Sequence, residues 1–132
     1  LNFDYICCIY PTAVLMKKSF ITETFKLIKK NNNSFIFPAS KFEYPILRSF
    51  KRNLAGEIKM LNSKYYNYRS QDLEEYYHDA GQFYWGSEKS WLTRRKLFDK
   101  FSDFYEIPRI NCQDIDNLED FKLAEIIKKN IK

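Results

Sequence analysis

The segment FDYICCIYP is a continuous apolar run closed by Pro11. That is the pattern of a strand covered on both faces, as inside a parallel sheet. In KKSFITETFKLIKKNNN, which follows, Phe20, Thr24, Leu27 and Ile28 recur at helical spacing and the asparagine run closes the helix. SFIFPAS reads as a second short apolar strand. Strand, helix, strand is a βαβ unit, so the expected class is α/β. The turn YPTAV then falls at the carboxyl end of the first strand, the edge where open α/β sheets bind ligands.

Further along, YPILRSFKRNLAGEIKML has the look of a hairpin, with Asn53 and Gly56 marking its turn. NSKYYNYRSQDLEEYYHDA is polar and aromatic without a clear period, so it is expected to be a long loop with a short helix around Asp72 to Tyr76. Loops of that length in compact domains serve function or an interface. GQFYWG predicts a strand, on which Gln82 and Tyr84 share one face while Phe83 and Trp85 take the other and enter the core. SEKSWLTRRKLFDKF predicts a helix capped by Ser87, EIPRIN a last strand, and NLEDFKLAEIIKKNIK a closing helix. The apolar stripe of that helix is Leu118, Phe121, Ala124, Ile127 and Ile131, widened by Leu123 and Ile126.

The chain of 132 residues suits one domain, and 45% hydrophobic residues suffice for a packed core. No apolar run reaches the roughly 18 residues a membrane span requires, so no membrane association is expected. The apolar start has no basic region ahead of it and no small-residue cleavage site, unlike a signal peptide. Cys7, Cys8 and Cys112 are too few and too badly spaced for a zinc site, and read as small buried thiols of a reducing cytoplasm. The net charge of +5 invites a nucleic-acid partner, but acids are interleaved with the bases, as in SQDLEEYYHD and NLEDFKLAE. No nucleic-acid partner is therefore expected, and an anionic small substrate is the better use of a few placed arginines.

INCQDIDNLEDF supports two readings of Asp114 and Asp116. One is a helix start, in which Asp116 or Asn117 caps and Glu119 completes a capping box. The other is chemical. Positions i and i+2 on an extended segment point to the same side, and two carboxylates there can hold a hard cation such as Mg²⁺.

Three motifs stand in order: YPTA, RSQDLEEYYHDAGQFYWG and QDIDNLEDF. Together they resemble the cytidylyltransferases that activate nonulosonic acids, and the pseudaminic acid branch in particular, from Asp4 to about Ile127. The resemblance implies a Rossmann-like, mostly parallel sheet flanked by helices. It also implies a hairpin-and-loop extension, residues 41–78 of a single 1–132 domain, that crosses to a partner in a homodimer. The implied reaction joins CTP to a nine-carbon 2-keto sugar acid with Mg²⁺, giving CMP-sugar and pyrophosphate for cell-surface glycan or flagellin glycosylation in the cytoplasm. That family carries a basic, glycine-rich phosphate loop of the type R-x-G-S-K-R, and none occurs here. The chain is accordingly expected to be a C-terminal portion that lacks the N-terminal part of the sheet and is inactive alone. A second departure is Val14, where the family often has proline.

Carried onto these motifs, Asp114 and Asp116 become the catalytic metal pair. Arg48 and Arg69 become candidates for the sugar carboxylate, because a guanidinium fork matches it with two hydrogen bonds; a surface arginine or an ion pair is the plainer alternative. Gln71 and Asp72 would read sugar hydroxyl or N-acyl groups, or simply be solvated. Tyr84 and Gln82 would face the sugar, and Tyr10, Pro11 and Thr12 would shape its pocket. The lone His78 tempts a general-base role, but beside Asp79 it reads better as a hydrogen-bonded structural residue. Competing readings are a non-catalytic dimerising or sugar-binding remnant, a cytidylyltransferase for N-acetylneuraminate or legionaminate, and a basic nucleic-acid-binding domain.

Overall fold

The computed structural model describes residues 3–93 and 95–131. The chain divides into two units, Leu1–Ser40 with Asp79–Lys132, and Lys41–His78.

The first unit is built on strands β1 (Tyr5–Ile9), β2 (Phe35–Lys41), β6 (Phe83–Ser87) and β7 (Asp103–Glu106), with helices α1 (Lys18–Asn31), α2 (Glu88–Leu92) and α3 (Leu118–Asn130), and β5 (Tyr77–Asp79) spans the boundary between the units. The sheet order is β1-β6-β2-β5, with β7 also on β2. The βαβ start and the α/β class hold, but the mostly parallel sheet does not. Strands β1 and β2 both run antiparallel to β6, and β2 pairs with β7 in parallel.

Strand β2 is the central one, buried from Phe35 to Ser40. Strand β1 is not the buried strand its apolar run suggests. It lies at the sheet edge, with Tyr5 and Cys7 half-buried and Ile6, Cys8 and Ile9 exposed. An apolar run reads the same whether or not a second layer covers it. Helix α1 buries Phe20, Thr24 and Ile28 on one stripe, and the Thr24 hydroxyl donates back to the Phe20 carbonyl at 2.6 Å. Asn32 ends it in the left-handed region (φ 52°) and donates its N–H to Ile28 O. Phe20, Ala80, Phe83 and Ile107 form the core cluster, joined by Cys7, Met16, Ile21, Trp85, Tyr105 and Cys112.

Three other elements differ from expectation. The helix opened by Ser87 stops at Leu92. Beyond it Arg95 donates to Ser34 Oγ at 3.0 Å and Phe98 meets Phe37 edge-on at 5.2 Å, and a continued helix would not deliver both. The part of that expected helix at Arg94 lies outside the described residues. The last strand is DFYE rather than EIPRIN: after the Ile107 N–H reaches Ala39 O, Pro108 has no N–H to extend the ladder, and Arg109–Asn111 form a 3₁₀ turn. In α3 only Ala124 of the expected stripe is buried, while Leu118 and Ile126 are largely exposed.

The second unit contains the hairpin β3 (Phe50–Arg52) and β4 (Ile58–Met60), in register from Phe50↔Met60 to Arg52↔Ile58. Gly56 takes φ 86° in its turn, and the Asn53 side chain ties to Glu57 through both its oxygen and its nitrogen. The expected helix near Asp72 to Tyr76 is absent. In its place are 3₁₀ turns at Ser63–Tyr65 and Ser70–Asp72, followed by β5, where the sequence suggests loop. No residue from Lys41 to His78 is buried.

Candidate functional site

In the first unit the chain makes a tight turn after β1. The Ala13 N–H reaches Tyr10 O at 3.1 Å and the Val14 N–H reaches Thr12 O at 2.8 Å. Pro11 is exposed and Thr12 half-buried on this turn. The Tyr10 N–H donates to Gln82 O at 2.8 Å, which seats the turn on the start of β6. The Tyr10 ring leans on Tyr84, with centroids 5.5 Å apart.

Tyr84 is almost entirely buried, and its hydroxyl donates to the Asp79 carboxylate in a short hydrogen bond. Burial foremost, and then Asp79, raise the Tyr84 pKa well above its ordinary value, so the hydroxyl stays a donor. Gln82 is also fully buried and does not present its amide to solvent. Burial does not divide β6 into an exposed and a core face: Gln82, Phe83 and Tyr84 are all buried, and Trp85 is half-buried. The Gln82 amide donates to the Asn111 carbonyl, and Asn111 Nδ2 donates to Leu15 O at 3.2 Å. Those bonds tie the 3₁₀ turn ahead of Asp114 to β6 and to the loop before α1.

Asp114 and Asp116 do not follow a strand. Residues 112–115 belong to no helix or strand, and 116–117 bend into α3. Gly81, at φ 60°, sits directly beneath Asp114: a Cβ there would lie 3.4 Å from the carboxylate carbon and both oxygens. Asp79 and Asp114 both act on Cys112, whose thiol is pushed up first by burial and then by these two carboxylates. Tyr10, Tyr84, Asp79, Gly81 and Asp114 thus gather at one end of the sheet. The sequence alone does not single out Asp79 and Gly81 as site residues, although both stand in the HDAGQ stretch of the second motif.

The capping question is settled in favour of Asn117. Its side chain accepts from the N–H groups of Glu119 at 2.8 Å and Asp120 at 3.0 Å, and Asp120 answers by accepting from the N–H groups of Asn117 and Asp116. The box is Asn117 with Asp120, not Asp116 with Glu119. The exposed Asp116 carboxylate takes no part in it. Two exposed carboxylates are hard oxygen donors of the kind Mg²⁺ accepts, with phosphate oxygens and waters filling the other positions. No group of three or more His, Cys, Asp or Glu among the described residues is arranged to hold a metal by itself.

The remaining candidates lie in the second unit. Exposed Arg48 donates to Ser70 Oγ at 3.4 Å. Arg69 and Asp72 are each other's ion-pair partners at 3.0 Å. Gln71 lines a cleft of about 400 Å³ with Lys41, Tyr44, Ile46, Glu74 and Tyr76. The ring of His78, half-buried, packs against Phe42 at 4.8 Å.

No family profile matches the chain. It is 39% identical over 127 residues to pseudaminic acid cytidylyltransferases from two strains of Campylobacter jejuni, covering 96% of this chain and 55% of each relative. It is 30% identical over 123 residues, 92% of this chain and 23% of the relative, to a Helicobacter pylori protein named pseudaminic acid cytidylyltransferase and UDP-2,4-diacetamido-2,4,6-trideoxy-beta-L-altropyranose hydrolase. The chain spans about half the length of the Campylobacter relatives.

Proposed function

Because this chain belongs to the pseudaminic acid cytidylyltransferase family, we propose that it forms the sugar-acid part of an enzyme that joins CTP to pseudaminic acid, releasing pyrophosphate. The observation that carries the reading is the gathering of Tyr10, Tyr84, Asp79 and Asp114 at one end of the sheet, with Gly81 leaving room for the Asp114 carboxylate. Asp114 and Asp116 would hold Mg²⁺, which when bound neutralises phosphate charge and aligns the attacking sugar hydroxyl. Tyr10, with Pro11 and Thr12, would line the sugar pocket. Buried Tyr84 and Gln82 act beneath it, Tyr84 as a fixed donor on Asp79 and Gln82 as the tie that holds the Asp114 loop.

The chain carries no basic, glycine-rich segment to cradle a triphosphate. The remaining length of the relatives would supply it, so the isolated chain is read as binding the sugar acid without turning over CTP. Its product would be a donor for glycosylation, made in the cytoplasm where CTP is.

The second unit supports a homodimer. It buries none of its residues and exposes Tyr44, Phe50, Leu54, Ile58, Leu61 and Tyr66. A two-stranded hairpin without a core is marginal in water, and an apolar surface of that kind marks an interface. Arg48 or Arg69 would then meet a sugar carboxylate across that interface, and Gln71 and Asp72 its hydroxyl or N-acyl groups.

The test is NMR titration of the labelled chain with pseudaminic acid and Mg²⁺. Shifts at Tyr10, Gly81 and Asp114 that saturate at millimolar ligand, and that Asp114→Asn weakens, are expected. Saturable binding with shifts confined elsewhere would overturn the site.

A further inference from the structure

A second cleft, of about 430 Å³, opens at the other end of the same sheet. Its position follows from the register of β1 on β6: Ile9 faces Phe83 next to the candidate site, and Tyr5 faces Ser87 at the far end. From Gln82 to Ser87 the strand carries the chain about 16 Å. The cleft is lined by Lys89, Arg95 and Lys100, with Ser34, Ser87 and Ser90 among the hydroxyl groups, and no carboxylate among its described residues.

None of the ion pairs among the described residues involves Lys89, Arg95 or Lys100. The acids of the adjoining loop are engaged elsewhere: Asp99 accepts from the Phe101 N–H at 2.8 Å and the Ser102 hydroxyl at 3.3 Å, and Asp103 from the Phe104 N–H at 2.8 Å and from Asn33 Nδ2, at the cleft margin, at 3.5 Å. Arg95 and Lys100 nevertheless converge, lying 5.1 Å and 5.0 Å from the centroid of the one Phe101 ring. Their charges are therefore no more than about 10 Å apart, against a Debye length of about 8 Å at physiological salt. Arg95 is further anchored by its bond to the hydroxyl of Ser34, which is buried. All three cations are exposed and solvated, and an anion seated among them would be attracted by each.

We propose that this cleft binds a phosphate group, as inorganic phosphate or as the ester of a small metabolite, at a site separate from the one formed by Tyr10 and Asp114. The Arg95 fork would take two phosphate oxygens, Lys89 and Lys100 would supply point charge, and the serine hydroxyls would donate to what remains. The volume falls in the range of small-molecule pockets. The site stands on its own geometry and does not depend on the sugar-acid reading.

The test measures thermal unfolding and calorimetric binding of the 132-residue chain with sodium phosphate and with glycerol 2-phosphate, each against sodium chloride at equal ionic strength. Saturable stabilisation in the millimolar range by at least one of them is expected. Arg95→Gln and Lys100→Gln should each weaken it about tenfold or more, the usual effect of losing a hydrogen bond to a charged group. Lys59→Gln, in the hairpin, removes the same charge and should change nothing. Tighter binding of the ester would identify an organic phosphate as the ligand, and equal binding the free ion. No phosphate-specific stabilisation up to roughly 20 mM, or stabilisation that Lys59→Gln weakens as much as Lys100→Gln does, would overturn the site. Lys100 is exposed, so its variant tests the proposal even where Arg95→Gln disturbs the fold.

Discussion

Replacing Asn117 with alanine strips α3 of its cap, and replacing the neighbouring Asp116 does not. The magnitudes follow from the hydrogen bonds. Asn117 Oδ1 satisfies two of the orphan N–H groups of the first turn, at 2.8 and 3.0 Å, and Asp120 satisfies two more just ahead of the helix. Loss of an Asn cap costs about 1 kcal/mol. For a chain of this length that lowers the melting temperature by about 3–4 °C. Asp116→Ala and Asp116→Asn leave every bond of the box in place, since Asp116 contributes only its backbone N–H, and each should melt within about 1 °C of wild type. Circular dichroism at 222 nm during heating reads both effects. An Asp116→Ala loss equal to that of Asn117→Ala would refute the assignment and return Asp116 to a structural role. With the cap held by Asn117, a ligand-binding role for Asp116 carries no penalty to the helix, and Asp116→Asn becomes a clean probe of metal affinity.

Other expectations concern the core, the thiols and the second unit. A Cβ at Gly86 would stand 2.6 Å from Phe35 Cε1 and 2.6 Å from Trp91 Nε1, so Gly86→Ala should cost about 2 kcal/mol and lower the melting temperature by about 7 °C; an unchanged melt would contradict the packing. Burial, then Cys8, push the Cys7 thiol from 9.0 up to about 11. Because the folded pKa is the raised one, the associated stability is complete below pH 9 and is lost as pH rises towards 11; wild type should therefore lose more stability than Cys7→Ala between those values, and parallel losses would rule this out. Light scattering at tens of micromolar should show self-association that Phe50→Ser with Ile58→Ser reduces, whereas a clean wild-type monomer would remove the argument for a homodimer.

Periodicity located what it physically encodes. Phe20, Thr24 and Ile28 are the buried line of α1, and the turn residues Asn53 and Gly56 mark the hairpin turn. Strand direction and layer order were not legible in the same way. The run YICCI cannot say that its partner β6 is antiparallel or that its outer edge is unpaired among the described residues, because both depend on elements distant in sequence. Tertiary contacts overrode local propensity after Leu92, where Arg95 and Phe98 are drawn to Ser34 and Phe37. At the candidate site Asp114 was legible through its motif. Asp79 and Gly81 acquire meaning only when the fold brings Tyr84 onto one and the Asp114 carboxylate over the other. For Gln82 the alternation along β6 gave the neighbour Tyr84 but not the bond its buried amide nitrogen donates to the Asn111 carbonyl, which depends on a residue distant in sequence.

The central claim is that this chain supplies the sugar-acid and metal-binding part of a pseudaminic acid cytidylyltransferase. The most direct measurement replaces the matching 127-residue segment of a Campylobacter jejuni relative with this chain and follows pyrophosphate release from CTP, pseudaminic acid and Mg²⁺. The account predicts turnover of about 1 s⁻¹ or more, abolished by Asp114→Asn at an unchanged melting temperature. A chimera that melts cooperatively like its parent yet releases no pyrophosphate, or one that Asp114→Asn leaves fully active, would contradict it.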